Sequence, residues 1–281
     1  MIKYIILIII NFIIVNSNVN SQSRLLTIVE LQKTKLFKSI DDAVKDPDKV
    51  YRLLLEYKGF TDFPPEIFQF KNLQSLNLSY NLIKEIPNDI SVLKNLQFLN
   101  LEGTEISNFT AEFFELKNLI SLNLDKMNSL NTSNTLSQIF NLGNLRELSM
   151  NSVFLMSLPP QIKKMKSLTK LKLSNCGMAE ITKEIGSMIN LSVLDLSFNE
   201  LTSLPSEIGE MKNLKELYLG GNQLKTIPEE IKDINESLQL LSLAQTESSS
   251  GNFISNPIPE NEVEKIQSML PNTKIIYVFS K

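Results

Sequence analysis

Residues 191–214 read LSVLDLSFNELTSLPSEIGEMKNL. Leu191, Leu194, Leu196, Asn199 and Leu201 fit the spacing L-x-x-L-x-L-x-x-N-x-L. Leu204, Pro205, Ile208 and Met211 follow, and Leu214 then starts the pattern again. The pattern recurs from Val50, Leu73, Leu96, Leu119, Leu145, Leu168, Leu191, Leu214 and Leu238, mostly in steps of 23 residues. One such unit leaves its apolar face open to water and folds only when neighbours stack on it. The repetition therefore predicts a solenoid rather than a globule.

Within a unit, the alternation L-x-L turns the leucines into a core and the intervening residues outward, as on a strand. The second half of the unit carries a proline at positions 64, 87, 159, 205 and 228, followed by apolar pairs such as Ile90/Leu93, Ile162/Met165 and Ile208/Met211. Those pairs suit a short helical or 3-10 turn on the convex side. The expected fold class is α/β: a horseshoe with a parallel concave sheet, short convex turns and helical caps.

An array exposes core at both ends unless something covers it. At the front, Ser39-Ile40-Asp41-Asp42 reads as a capped helix start, stopped at Pro47, inside a cap over residues 22–49. At the back, residues 247–281 read as a second cap, with a helix from Pro259 carrying Val263, Ile266, Met269 and Leu270 on one face and a last strand from Lys274. The nine-unit array lies between, over residues 50–246. Residues 1–21 place Lys3 before an apolar run from Tyr4 to Val15 and then an Asn/Ser tail. That order reads as a secretory signal peptide, cleaved after Ser17 or Ser21. An uncleaved anchor is the alternative, although a membrane span needs about 20 apolar residues. The expectation is an exported protein, periplasmic, released or at the cell surface, with no stable membrane insertion after cleavage.

Composition removes several function classes. The chain has 281 residues, a net charge of −3 and no histidine, so nucleic-acid binding, histidine acid–base chemistry and most zinc sites are not expected. Cys176 is the single cysteine and occupies a ninth position, where the repeat accepts Asn or Cys, so it reads as a buried structural thiol.

The ninth position elsewhere holds Lys58, Asn81, Thr104, Met127, Val153, Asn199, Asn222 and Thr246. An asparagine there satisfies backbone groups of adjoining bends. Met127 and Val153 cannot, which predicts that the middle of the solenoid is its most irregular part. The unit from Leu119 also holds three extra residues, near Asn128–Ser137. A surface loop is the plain reading of them, and a protruding contact the functional one.

Outward strand positions form two columns. One runs Leu54, Asn77, Asn100, Asn123, Ser149, Lys172, Asp195, Tyr218, Ser242, and the other includes Arg52, Phe98, Glu147, Lys170 and Glu216. Aromatic side chains on such a face make good anchors. Candidate partner-binding residues are therefore Tyr57, Tyr80, Phe98, Asn100, Asn123, Lys172, Asp195, Phe198 and Tyr218. Tyr57, Tyr80 and Phe198 have a competing structural reading, because each directly precedes a ninth position and can lie down on the bend layer. Glu102 and Asp125 are neighbouring carboxylates, but a flat solvated face offers no pocket to raise one pKa, so no catalytic residue, cofactor or metal ligand is assigned. Gly220-Gly221 has no following Lys-Ser/Thr and is not a phosphate loop.

With its residues laid out, LPSEIGEMKNLKELYLGGNQLKTIPEEI resembles the leucine-rich repeats of bacterial surface and secreted proteins and of the plant intracellular Ras-group proteins. The first unit resembles the capped start of small exported bacterial members. Departures are Thr110 and Thr182 in place of proline and the broken asparagine series. The resemblance implies an interaction surface rather than a reaction: a non-enzymatic module binding a protein partner on its concave face, with a monomer favoured. The alternative is an envelope structural or adhesion protein that binds itself or carbohydrate.

Overall fold

A computed structural model describes residues 25–246 and 253–278, so the signal-peptide reading of residues 1–21 lies outside the described residues. The chain enters through α1 (Ile28–Lys33), β1 (Leu36–Phe37) and α2 (Ile40–Ala43). Thr27 and Glu30 form a reciprocal capping box on α1, and Ser39 accepts from the Asp42 N–H on α2, as its sequence predicts. The nine units then contribute β2 (Arg52–Leu54), β3 (Ser75–Asn77), β4 (Phe98–Asn100), β5 (Ser121–Asn123), β6 (Glu147–Ser149), β7 (Lys170–Lys172), β8 (Val193–Asp195), β9 (Glu216–Tyr218) and β10 (Leu240–Ser242).

A hairpin of β11 (Ala244–Thr246) and β12 (Phe253–Ser255) follows, then helix α4 (Glu260–Met269) and strand β13 (Lys274–Ile276). β1 to β10 and β13 make one curved eleven-stranded sheet, all parallel, in chain order. Each end of the sheet is thus one strand longer than the repeat pattern, because both caps donate a strand. β1 pairs with β2, and β13 with β10.

The leucine positions build the core. Leu191, Leu194, Leu196, Leu201, Leu204, Ile208 and Met211 of one unit are all buried, and equivalents repeat along the array. Convex segments are 3-10 turns, as at Pro65–Gln69, Asn88–Val92 and Ser206–Glu210. The units lacking proline form the same turn: Thr110 and Thr182 hold the extended cap conformation that Pro87 and Pro205 hold elsewhere. Proline preorganises this corner but is not required for it. In the longer unit the three extra residues do not make a loop. They complete α3 (Thr132–Ile139), which replaces the 3-10 turn and buries Leu136 and Ile139.

Two asparagine series tie unit to unit. In the inner one, Asn81 Nδ2 donates to the carbonyls of Leu55 and Leu78 at 2.8 Å, while its Oδ1 accepts from the N–H groups of Lys58 and Phe60. Asn199 repeats this with Leu173 and Leu196, and Asn222 with Leu196 and Leu219. The last member is Asn256 rather than the residue at 246. Its Nδ2 donates to Leu219 and Leu243, and its Oδ1 accepts from Leu224 N–H. The β11–β12 hairpin is therefore an excursion inside the last bend, which linear spacing could not register. The outer series precedes six of the nine units: Asn72, Asn95, Asn118, Asn144, Asn190 and Asn213 each donate to a carbonyl one turn of the solenoid earlier, at 2.7–2.9 Å.

The middle keeps its strands in register through β5, β6 and β7. Where Met127 and Val153 interrupt the inner series, polar duty moves two positions toward the sheet. Asp125 Oδ1 accepts from Asn151 N–H at 2.7 Å, and Asn151 Oδ1 from Ser174 N–H at 2.8 Å. The expected irregularity is thus confined to the bends and the α3 segment. Cys176 is buried and retains one bond of the series, its thiol donating to the Met150 carbonyl at 3.2 Å.

Two outcomes test this architecture. Asn256→Ala should cost about 2–3 kcal/mol, as Asn222→Ala should, because each leaves buried backbone groups unpaired; a melting temperature unchanged by Asn256→Ala would return the ninth position to residue 246. Burial pushes the Cys176 thiol up to about 12, so alkylation at pH 8 should be negligible in the native protein and complete in denaturant, and rapid native labelling would contradict its placement.

Candidate functional site

The concave face presents the third and fifth positions of each unit, on the strand, and the seventh and eighth positions just after it. The register places the expected columns side by side: Asn77, Asn100 and Asn123 on β3–β5, and Lys172, Asp195 and Tyr218 on β7–β9. The Asn and Asp side chains of this column are partly committed to their own bends. Asn77, Asn100, Asn123 and Asp195 each accept, through Oδ1, the N–H two residues on, at 2.8–3.0 Å. This Asx-type turn explains why amides and a carboxylate recur there, and it leaves the Nδ2 groups of the asparagines and the second oxygen of Asp195 outside the turn.

The eighth position has one backbone conformation in the first eight units. Tyr57, Tyr80, Gly103, Lys126, Ser152, Asn175, Phe198 and Gly221 all lie at φ between +54° and +73°. For the bulky residues this left-handed conformation is uncommon and persists because neighbouring units hold the bend on both sides. The aromatic rings obey a further rule. Tyr80 lies on Gly103, and Phe198 on Gly221, each 23 residues on; a Cβ built on those glycines would sit 2.9 Å and 2.7 Å from the rings. These two rings are therefore seated in the bend layer.

Tyr57 breaks the rule, because the residue 23 positions on is Tyr80. It stacks on that ring instead, with centroids 4.5 Å apart and planes 6° apart, and remains 68% exposed. Its outer face is open to solvent at the rim of the sheet.

Around Tyr80 the site is charged. Its hydroxyl donates to Glu102 Oε1, and Lys126 Nζ donates to the same hydroxyl at 2.7 Å and to Glu102 Oε1 at 2.9 Å. Lys126 also stands 5.2 Å over the Tyr80 ring. The Tyr80 and Glu102 bonds hold the Lys126 ammonium above its usual pKa, and burial beside Glu102 raises that of Tyr80. Lys126 was not among the candidates from sequence. Reading the eighth position as a column, two units on from Tyr80, would have found it.

The neighbouring carboxylate has different partners. Asp125 accepts from Ser149 Oγ at 2.6 Å and from Asn151 N–H and Nδ2, and burial raises its pKa. Glu102 and Asp125 are thus each engaged with separate partners. At the other end, Tyr218 donates to Glu216 at 2.7 Å, with its pKa raised by burial and by that carboxylate. Asp195 is drawn to Ser197, and Lys170 reaches Glu147 at 3.7 Å.

The nine candidates therefore form two clusters. Tyr57, Tyr80, Phe98, Asn100 and Asn123 sit on units 1–4, Lys172, Asp195, Phe198 and Tyr218 on units 6–8, and β6 separates them. Among the described residues no group of three or more Cys, Asp or Glu is arranged to hold a metal ion, and no helix is long and apolar enough to cross a membrane.

A family model described as a leucine-rich repeat region matches residues 64–173, and one described as leucine-rich repeats in two copies matches residues 189–236. Together they span more than half of the chain. Among solved structures, the leucine-rich repeat domain of the type III effector XopL is similar at a TM-score of 0.63 and 22% identity, over 84% of this chain and 79% of that one. Internalin C2 of Listeria monocytogenes is similar at 0.54 and 21% identity, over 64% and 75%. The functional domain of InlJ, also from Listeria monocytogenes, is similar at 0.54 and 20%, over 68% and 38%. At these identities the likeness is one of fold. No curated protein matches the chain.

The ring-on-glycine rule is testable by substitution. Gly103→Ala should cost about 2–3 kcal/mol, combining a left-handed backbone with a Cβ against the Tyr80 ring. The cost should fall to about 1 kcal/mol in a Tyr80→Ser background. Gly143→Ala, where a Cβ meets nothing within 4 Å, should be near neutral. Equal melting temperatures for Gly103→Ala and Gly143→Ala would contradict the seating.

Proposed function

Because this chain is a leucine-rich-repeat protein, we propose that it is an exported, non-enzymatic interaction protein that binds a protein partner through its concave face. The fold is a generic protein–protein interaction module, and its rigid sheet sets outward side chains at about 4.8 Å intervals without needing to rearrange on binding. The observation that carries the reading is Tyr57, an aromatic ring 68% exposed, held on Tyr80 at the rim of the sheet. A preordered ring with a polar tip loses little conformational freedom on contact, which suits it to anchor an interface. Phe98, two strands along from Arg52 in the same outward column, extends the surface across the sheet.

Export rests on the order of charge, apolar run and small polar residues in 1–21. The absence of an assigned catalytic residue rests on Glu102 and Asp125, each already engaged by neighbours on an open face. The open face of Tyr57 would also stack on a sugar ring, so adhesion to carbohydrate is the second reading.

The test is a pull-down from cell extract and culture medium with purified protein, beside a Tyr57→Ser/Phe98→Ser variant and a convex-side Glu210→Gln control. A protein held by wild type and control, and at least tenfold depleted on the double variant, is the expected result. Equal recovery on all three would move the site off the concave face. Glycan-array signal without a protein partner would favour adhesion.

A further inference from the structure

The second positions of the units form a row along one flank of the solenoid, beside the outer asparagines. At units 2 and 3 the chain itself already occupies this row. Gln74 Oε1 accepts the Leu26 N–H at 3.0 Å and a Gln97 Nε2 proton at 2.8 Å, and Gln97 Nε2 also donates to the Leu26 carbonyl at 3.2 Å. Both glutamines are buried. Two side-chain amides therefore hold both main-chain groups of one residue, as a neighbouring strand would. One residue upstream, Leu25 lines a cavity of about 650 Å³ that continues along the same row from Ile120 to Lys215, across units 4–8. The clamp on Leu26 thus delivers the chain into the groove.

The groove wall is rich in acceptors. Asn118, Asn144, Asn190 and Asn213 line it, and each spends its Nδ2 on a carbonyl one turn earlier, which leaves its Oδ1 to accept. Thr169 and Ser192 donate their hydroxyls to the Arg146 and Thr169 carbonyls. A matching occupant brings donors: main-chain N–H groups, amides and hydroxyls. Residues 18–24, NVNSQSR, carry a side-chain donor everywhere but at Val19, and they directly precede Leu25. Length agrees as well. Units 4 to 8 span about 19 Å at about 4.8 Å per step, and seven extended residues cover about 23 Å. We propose that residues 18–24 lie in this groove as an extended strap, continuing the contact that Gln74 and Gln97 make with Leu26. A partner's peptide offers similar donors, but the chain's own segment is tethered at the mouth of the groove and holds the higher effective concentration there. The strap ties the front cap to the far units across α3 and leaves the concave face open. It does not rest on export: a chain kept from Met1 and a chain cleaved after Ser17 both retain it, and only cleavage after Ser21 removes it.

Disulfide capture tests this in the full chain. Asn20 falls about 20 Å upstream of Leu26, level with Ser192 of unit 7. In a glutathione redox buffer, Asn20→Cys/Ser192→Cys should close an intramolecular disulfide about tenfold faster or more than Asn20→Cys/Glu210→Cys, whose second cysteine lies on the convex side. Cys176 is buried and takes no part. Adding Gln74→Ala/Gln97→Ala, which releases the clamp, should bring closure down to the control rate; the Glu210 comparison stands whether or not that variant folds. Intact mass of the chain purified from its own cells should show a start at Met1 or Asn18. Equal closure rates for the two cysteine pairs, disulfides formed only between chains, or a native chain beginning at Gln22 would each overturn the strap.

Discussion

Four bends of this solenoid depend on a side-chain amide reaching the carbonyl of the unit before it. Strands of three residues are too short to satisfy their own ends, and the bends that follow are buried between neighbours where water cannot help. Asn81, Asn199, Asn222 and Asn256 solve this by bridging two carbonyls with one NH₂ and accepting backbone N–H groups in return. Leucine burial drives stacking, but it is non-directional. The amide sets register, because its bonds can be made only when successive units are aligned.

The broken middle shows how the constraint can be met differently. With Met127 and Val153 in the ninth position, Asp125 and Asn151 take up backbone N–H groups from a position nearer the concave surface. This relocation draws a partly buried carboxylate into a structural role, and it explains why Asp125 carries so many bonds for a residue on an open sheet. It coincides with the unit whose convex segment is the α-helix α3 and with the bend that exposes Phe154 and Met156.

The same geometry sorts aromatic residues into scaffold and surface. A left-handed eighth position lays a side chain along the solenoid axis, over the equivalent residue of the next unit. Where that residue is glycine, as under Tyr80 and Phe198, the ring is absorbed into the bend layer. Where it is another tyrosine, the ring stands proud. Two of the three aromatic candidates at this position are therefore framework on at least one face, and Tyr57 is distinguished from them by a residue 23 positions away.

Periodicity alone determined the solenoid, its parallel sheet, the buried face of every unit and which outward residues share a column, because a 23-residue step with fixed leucine spacing admits one stacking solution. It also placed the α4 helix and its closing strand, since both follow from local apolar spacing. Only the tertiary structure decided that Asn256 completes the inner series, because the intervening hairpin erases linear spacing while leaving the bend intact in space. It likewise decided that the three extra residues complete α3, since the apolar side chains of that segment gain more from burial than a loop would. The partners of Glu102, Asp125 and Lys126 were illegible for the same reason: they come from units one or two steps apart, and a repeat pattern records which positions align but not which side chains bridge them.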